Sequence, residues 1–197
     1  MKKMVLALSF VTSFFILTGC SSTAEQVELE RKVTRMTVVS SAKPADVLPA
    51  FTSFTWNEEY SRVLSAVNDD SEKDIQQYIR NEIIRYLKTK GYVYQPDPIQ
   101  ADVVIGFLFA LEDDLADQKI QDKFGLLPGV NASGITDKRY AKGSLLLAVL
   151  DTKLDQIYWR SAMQGFVDFE KDKHDDSVDD MQTVLGMMMG GFPKAGR

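Results

Sequence analysis

The sequence predicts an α/β domain of the α+β type, with one mixed, largely antiparallel sheet of about four to five strands and two helices packed on one face. Three observations predict it. A strand pattern is followed by an amphipathic helix and another strand pattern, the order that produces a parallel strand pair. Two further strand patterns, separated by "TKLD", indicate an antiparallel hairpin. An apolar segment with helical spacing comes last.

The start of the chain is typical of a cleaved secretory signal. Lys2 and Lys3 precede an apolar run that ends at Leu17, and this run is shorter than the roughly 20 residues of a transmembrane helix. The next residues, Leu17-Thr18-Gly19-Cys20, resemble the lipobox of bacterial lipoproteins. We therefore predict a signal peptide over 1–19, a lipidated Cys20 with a flexible tether over 20–32, and a single domain over 33–197.

The lipobox resemblance implies that diacylglycerol is joined to Cys20 and that the new amino group is acylated, because stable anchoring needs more than one chain. Cys20 is the only cysteine, so the anchor would leave no thiol for a disulfide, for catalysis or for a metal site. Ser21 and Ser22 follow it, which in a two-membrane organism implies the outer membrane, facing the periplasm. The alternatives are an ordinary secretion signal with a chance cysteine and an uncleaved anchor.

The first half of the domain contains two strand patterns and the best-specified helix. "KVTRMTVVS" predicts an extended edge strand, and "AFTSFTW" (50–56) predicts a second strand that a polar loop follows. The helix is expected to begin at an N-cap, Ser71, and to end before Gly91 in a left-handed conformation, with Tyr92 folded back on Leu87. Its buried stripe is predicted to comprise Ile75, Ile79, Ile83, Tyr86 and Leu87.

The second half adds three strands and a helix. "ADVVIGFLFAL" is almost continuously apolar, which favours a central strand covered on both faces. A long connection over 112–139 separates it from the hairpin strands "GSLLLAVLD" and "QIYWRSAMQGF". After a charged stretch, Val178, Met181, Val184, Leu185 and Met188 recur at helical spacing, so the sequence predicts a C-terminal helix that Gly190 and Gly191 stop.

Several of these segments, in this order, resemble a bacterial envelope lipoprotein family, the domain of unknown function 4136. The segments that carry the resemblance are "FTSFTW", "YLKTKGY", "ADVVIGF", "GSLLLAVLD", "IYWRSAM" and "GGFP". They extend from Phe51 to Pro193. The chain departs from the family pattern in its long connection and in the hairpin turn "TKLDQ". The resemblance implies an α/β domain on an envelope lipoprotein and supplies no catalytic residues.

The composition and the titratable residues argue against several functions. The net charge of −5, with no basic stripe, argues against a nucleic-acid partner. His174 is the only histidine, so we predict no catalytic set and no metal. The acidic stretches "EDDLAD" and "DDSVDD" lack the ligand spacing of a calcium loop and read as solvated surface. The methionines near the C-terminus could suit Cu(I), but core packing is the better interpretation, and we predict no cofactor.

These observations favour a non-enzymatic envelope lipoprotein. We expect the membrane as a partner through the lipid anchor at Cys20, and a second envelope protein that the domain binds for assembly or maintenance. The candidate partner surface combines an apolar loop with the C-terminal helix, and its residues are Phe124, Leu126, Leu127, Met187 and Met188. The same loop could equally pack onto the core. The alternatives are a binding module for a small hydrophobic or glycan ligand held beside the 112–139 connection, and a carboxylate-based hydrolase.

Overall fold

The structure is a computed structural model of the 197-residue chain. It describes residues 27, 36–42, 48–64, 69–111, 118, 121–122, 125, 129–130, 133, 135, 137–168 and 178–197. The elements in chain order are β1 (Thr37–Ala42), β2 (Ser53–Leu64), α1 (Asp69–Thr89), β3 (Val93–Tyr94), a 3-10 helix (Pro98–Gln100), β4 (Val103–Leu111), β5 (Tyr140–Leu150), β6 (Ile157–Asp168) and α2 (Val178–Met189).

The strands form one six-stranded mixed sheet in the order β1-β6-β5-β4-β2-β3. β2 pairs in parallel with β4 and with β3, whereas β1–β6, β4–β5 and β5–β6 are antiparallel. The predicted parallel pair around the first helix, the antiparallel hairpin and the mixed sheet are therefore confirmed. The sheet has six strands, one more than the upper number predicted. The additional strand, β3, is only two residues long, which is too short for a sequence pattern to indicate.

Both helices pack on one face of this sheet, as predicted. A single apolar cluster joins Ile79 and Ile83 of α1 and Leu185 of α2 to the side chains of alternate strand residues, such as Phe107 and Leu147. These five side chains are at most 1% exposed. We call this side of the sheet the helix face and the other side the second face. The second face has its own smaller cluster, in which Leu146, Ala148, Leu150 and Ala162 are buried.

Helix α1 ends as the sequence predicts and begins earlier. Gly91 has a φ of 91°, its amide donates to the Lys88 carbonyl, and the amide of Tyr92 donates to the Leu87 carbonyl. This pair of bonds is the Schellman motif, and Tyr92 and Leu87 are both buried. The helix begins at Asp69, so Ser71 lies inside its first turn and is not the N-cap.

Strand β2 is longer than predicted and contains a bulge. The polar residues after Trp56 continue the strand to Leu64, but four of them, 57–60, lie opposite the single residue Gly106 of β4. The carbonyl oxygen of the Asn57 side chain accepts the amides of Glu59 and Tyr60, which stabilises the bulge locally. The polar sequence of this segment is typical of a loop, and its two carboxylates, Glu58 and Glu59, are exposed.

The C-terminal tail completes the helix face. α2 ends at Met189, directly before Gly190, as predicted. Phe192 then inserts among the aromatic rings of Phe51, Tyr92 and Trp159, with ring centroids 5.5–5.8 Å apart. The hydroxyl of Tyr92 donates to the Pro193 carbonyl at 3.2 Å, and burial raises the pKa of this tyrosine to about 12.

Candidate functional site

The residues of the predicted partner surface do not form one surface in the described part of the chain. Phe124, Leu126 and Leu127 lie outside the described residues, as does Cys20. Met187 is 49% exposed, as a contact residue should be, but Met188 is only 1% exposed. The prediction that Met188 belongs to this surface is therefore wrong. Met188 is one position further along α2 than Met187, and its side chain points toward the sheet and packs in the core.

Two described residues of the long connection, Gly125 and Val130, lie on the side of the sheet opposite α2. The amide of Val130 donates to the side-chain oxygen of Gln164 at 2.9 Å, on the second face. Gly125 lies against the guanidinium of Arg160, a residue that shares this face with Ala162. α2 covers the helix face. Contact between the connection and Met187 is therefore not a feature of the described structure.

The outer edge of β1 is a different candidate for a contact surface. The six residues of this strand, "TVVSSA", are uncharged and pair with β6 without a register shift from Thr37↔Gln164 to Ala42↔Trp159. The hydroxyl groups of Ser40 and Ser161 are hydrogen-bonded at 2.6 Å, which fixes the strand to the sheet. Residues 40–42 are exposed. Within the described part of the chain, no strand pairs with the outer edge of β1.

The opposite edge of the sheet is protected. β3 covers only the start of β2, because Pro96 and Pro98 prevent the chain from continuing along the edge. Beyond that point β2 carries the bulge and the exposed carboxylates of Glu58 and Glu59. The side-chain amide of Gln76 also donates to the backbone carbonyl of Ser61. Bulges and charges of this kind are the usual means by which proteins prevent strand addition at an edge.

A polar cleft lies between the second half of β2 and the first turns of α1. Its volume is about 300 Å³, and it is lined by Glu58, Ser61, Arg62, Val63, Glu72, Lys73 and Gln76. Arg80, one turn beyond Gln76, forms an ion pair of 2.8 Å with Glu58 and lies 5.7 Å from the ring of Trp56. Ser61 is fully buried, and its hydroxyl has no hydrogen-bond partner in the described structure. No sequence pattern indicates this cleft.

The described carboxylates do not form a buried pair facing each other across a cleft, which is the arrangement that a carboxylate-based hydrolase would need. Glu82 is the buried carboxylate among them, and it binds Arg85 at 2.5 Å and the amide of Gln182 at 2.7 Å. Asp151 and Asp155 lie in the turn between β5 and β6, where a hydrogen bond with Asp151 raises the pKa of Asp155. No group of three or more metal-binding side chains occurs among the described residues.

The comparison with protein families gives one match. The model of the family described as "Domain of unknown function (DUF4136)" matches residues 38–194, from β1 to the residues just after Phe192. The match includes both sheet edges, the cleft and the buried Phe192. A search of the curated proteins finds no match.

Solved structures of similar fold come from several bacteria. A DUF4136 family protein from Bacteroides thetaiotaomicron has a TM-score of 0.50 at 12% identity, over 82% of this chain and 98% of its own. A PelC dodecamer from Paraburkholderia phytofirmans has a TM-score of 0.43 at 10% identity, over 82% and 99% of the two chains. A PDZ domain protein from Parabacteroides distasonis has a TM-score of 0.46 at 12% identity, over 87% and 40%. With the family match over most of its length, the chain belongs to the DUF4136 family.

Proposed function

We propose that this protein is a lipid-anchored bacterial envelope protein that acts as a protein-interaction module and not as an enzyme. Its partner is another envelope protein, and the contact is strand addition at the outer edge of β1. The observation that supports this proposal is the difference between the two edges of the sheet. One edge has a bulge, prolines and charges, whereas the edge formed by β1 has none of these within its six residues.

Strand addition supplies affinity through backbone hydrogen bonds and specificity through alternate side chains. In β1, Val38 packs on the helix face and Val39 on the second face, so the strand itself is held firmly on both sides. Its outer backbone groups are therefore presented on a rigid support. A partner strand would extend the sheet from six strands to seven without rearrangement of the core.

The charges in the sequence around β1 indicate the chemistry of the partner segment. Arg31, Lys32, Arg35 and Lys43 flank the strand, and no acidic residue occurs between positions 31 and 43. Two copies of β1 paired with each other in antiparallel fashion would bring these like charges together, which disfavours a homodimer through this edge. An extended partner segment with an uncharged centre and acidic ends fits better, and the attraction would also speed association.

The proposed location depends on the predicted anchor. No helix in the described part of the chain combines the length and apolar character that crossing a bilayer requires. The protein would be attached to the membrane by lipid on Cys20. We propose that this membrane is the outer membrane and that the domain faces the periplasm. Since β1 begins at Thr37, the sixteen residues between it and Cys20 would span at most about 60 Å when fully extended. The edge would thus remain close to the membrane surface.

Site-specific photo-cross-linking in intact cells tests the proposal. A cross-linking amino acid replaces Ser41, which is exposed on β1, and in a matched strain it replaces Glu59, which is exposed on the protected edge. We expect one discrete adduct with an envelope protein from position 41 and none from position 59. Equal adducts from both positions, or none from position 41, would overturn strand addition at β1.

Two proline variants test whether backbone amides of β1 bind the partner. Neighbouring residues of a strand direct their amides to opposite edges, so one of Ser41→Pro and Ala42→Pro removes an amide that faces β6 and the other an amide that faces outward. We expect the variant that leaves the melting temperature unchanged to lose the adduct, which is captured from position 42 for Ser41→Pro and from position 41 for Ala42→Pro. Retention of the adduct in that variant contradicts backbone pairing. Cys20→Ser, which removes the anchor, should shift the protein from the membrane to the soluble fraction.

A ligand-binding function is a second candidate, because polar and charged residues of β2 and α1 line one cleft. This cleft is far in sequence from the 112–139 connection, where the sequence had suggested a ligand site. The residues around it also favour a polar ligand over a hydrophobic one.

A further inference from the structure

The last turn of α2 packs against the edge strand β1 on the helix face. The hydroxyl of Ser40 donates to the backbone carbonyl of Met188 at 3.4 Å. Val38, two positions earlier and therefore on the same face, packs against the core cluster. A helix with its side chains is about 10–12 Å across, whereas neighbouring strands are about 4.8 Å apart. A strand added beside β1 would therefore lie within reach of side chains on the outer side of α2.

Two apolar residues, Val184 and Met187, are on that outer side. Successive residues of a helix are rotated by about 100°, so Gln182, Leu185 and Met188 follow one another around α2 in steps of about 60°. Gln182 is hydrogen-bonded to α1, Leu185 is buried in the core, and Met188 is next to β1. Val184 and then Met187 continue in the same direction, about 40° and 100° beyond Met188. They therefore point away from α1, toward the margin beyond β1.

These side chains and Ser40 bound a space that a large side chain could fill. Ser40 is small and exposed, Val184 is half-buried, and Met187 is 49% exposed. In an added strand, the residue opposite Ser40 would project from the same face of the sheet as Ser40, which is the helix face. The flexible thioether of Met187 can adapt its shape to an apolar neighbour in this position.

We propose that the partner strand carries a large aliphatic residue opposite Ser40 and that this residue packs against Val184 and Met187. The inference rests on the proposed strand addition at β1 and specifies the partner further. The uncharged centre of the partner segment contains one large aliphatic side chain that faces α2, and its contact with the helix fixes the register of the added strand. Backbone pairing alone would leave that register weakly determined.

Photo-cross-linking in intact cells tests the contact with α2. Tyr78 of α1 is the matched control, because Tyr78 and Met187 are 47% and 49% exposed. A cross-linking amino acid at position 187 should capture the same envelope protein as one at position 41. Peptide mapping should place the two cross-links within about three residues of each other in one extended segment of that protein. Position 78 should give no adduct.

A serine variant measures the contribution of Met187. In the strain with the cross-linker at position 41, Met187→Ser should lower the adduct yield about fivefold, since the partner's side chain loses an apolar contact. The melting temperature should stay unchanged because Met187 is exposed, and Tyr78→Ser should leave the yield unchanged.

The two proposals fail in different ways. Full yield from position 41 in Met187→Ser, or an adduct from position 41 without one from position 187, would overturn the contact with α2 and leave strand addition intact. The absence of an adduct from position 41 would overturn strand addition at β1 and this inference with it.

Discussion

A single carboxylate oxygen joins the starts of β2 and β4. The Oδ2 atom of Asp102 accepts the amides of Thr52 and Ser53 at 2.8 and 2.9 Å and their hydroxyls at 3.1 and 3.0 Å. The hydroxyl of Ser53 in turn accepts the amide of Asp102. These bonds, led by that from the Thr52 amide, lower the pKa of Asp102, because they stabilise its charged form.

Asp102→Asn should destabilise the protein by about 1 kcal/mol at neutral pH, since the amide oxygen can still accept hydrogen bonds but lacks the charge that strengthens them. The carboxyl is exposed, which limits the effect. The pKa is lower in the folded than in the unfolded state. The stabilisation by the Asp102 carboxylate is therefore complete above its unfolded-state pKa of about 3.9. It is lost as the pH falls through the lower pKa of the folded state.

Urea unfolding of the wild type and Asp102→Asn, from pH 7 down to about pH 2.5, measures this loss. The difference in free energy of unfolding should shrink toward zero at the acidic end. Glu59→Gln removes an exposed carboxylate that forms no such cluster and controls for the change of net charge. A difference that stays constant over the whole range would show that the charge of Asp102 does not stabilise the fold.

Residue-level predictions from the sequence succeed where helical spacing decides which side chains are buried. Ile79, Ile83 and Leu87 are all buried, since spacings of three and four place them on one side of α1. The methionine triplet could not be divided in this way, because three consecutive apolar residues offer no periodicity. The structure divides it: Met187 is exposed, and Met188 and Met189 are buried.

At the scale of elements, the close approach of β2 to β4 depends on one glycine. A Cβ atom on Gly106 would lie 2.7 Å from both the Cβ atom and the backbone oxygen of Tyr60, which is the last residue of the bulge. No side-chain rotation relieves a contact with a backbone atom. The bulge and the glycine are therefore matched features of the two strands.

Gly106→Ala should lower the free energy of unfolding by about 2–3 kcal/mol, because the strands must move apart to accommodate the methyl group. Gly186→Ala is the matched control: a Cβ atom there meets nothing within 4 Å. In the helix α2 alanine should stabilise by about 1 kcal/mol. Chemical denaturation of both variants measures the two effects, and a neutral result for Gly106→Ala would contradict the observed approach of Tyr60.

The elements that sequence patterns missed are those whose form depends on neighbouring strands. The segment 57–60 lacks the alternation of a strand, because its residues bulge outward over Gly106. β3 has only two residues and is a strand solely because its residues pair with Ser53 and Phe54. The long strands β4 and β5, in contrast, are apolar enough to be predicted from composition alone.

At the scale of the whole molecule, the last residues connect distant parts of the chain. The amide of Ala195 donates to the carbonyl of Lys90, and that of Gly196 donates to the carbonyl of Phe51. The ammonium group of Lys90 donates in return to the carbonyls of Gly190 and Phe192, at 3.2 and 2.6 Å. The tail therefore joins the end of α2 to the end of α1 and to the chain just before β2.

Removal of residues 192–197 should destabilise the protein by at least about 3 kcal/mol, since loss of a buried phenylalanine ring alone costs this much. Removal of Arg197 only, which is exposed, should change the stability by less than about 0.5 kcal/mol. Urea unfolding of the three chain lengths gives the comparison. Equal stability of the shortest chain and the full chain would mean that the tail does not contribute to the core.

The proposed sites could not be predicted from the sequence because they arise from relations between elements. "TVVSSA" indicates a strand, but its position at an edge without protection depends on the order of all six strands. The cleft depends on residues of β2 and α1 that lie close together only in the folded structure. The predicted lipobox, in contrast, is contiguous in sequence, so it can be predicted without a fold.

The position of Phe192 has a consequence for the order of events during folding. This residue is 3% exposed and contacts Phe51, from which more than 100 residues of the chain separate it. Because the entropy of closing so long a loop opposes folding until the contact has formed, we expect the aromatic core to close late in folding.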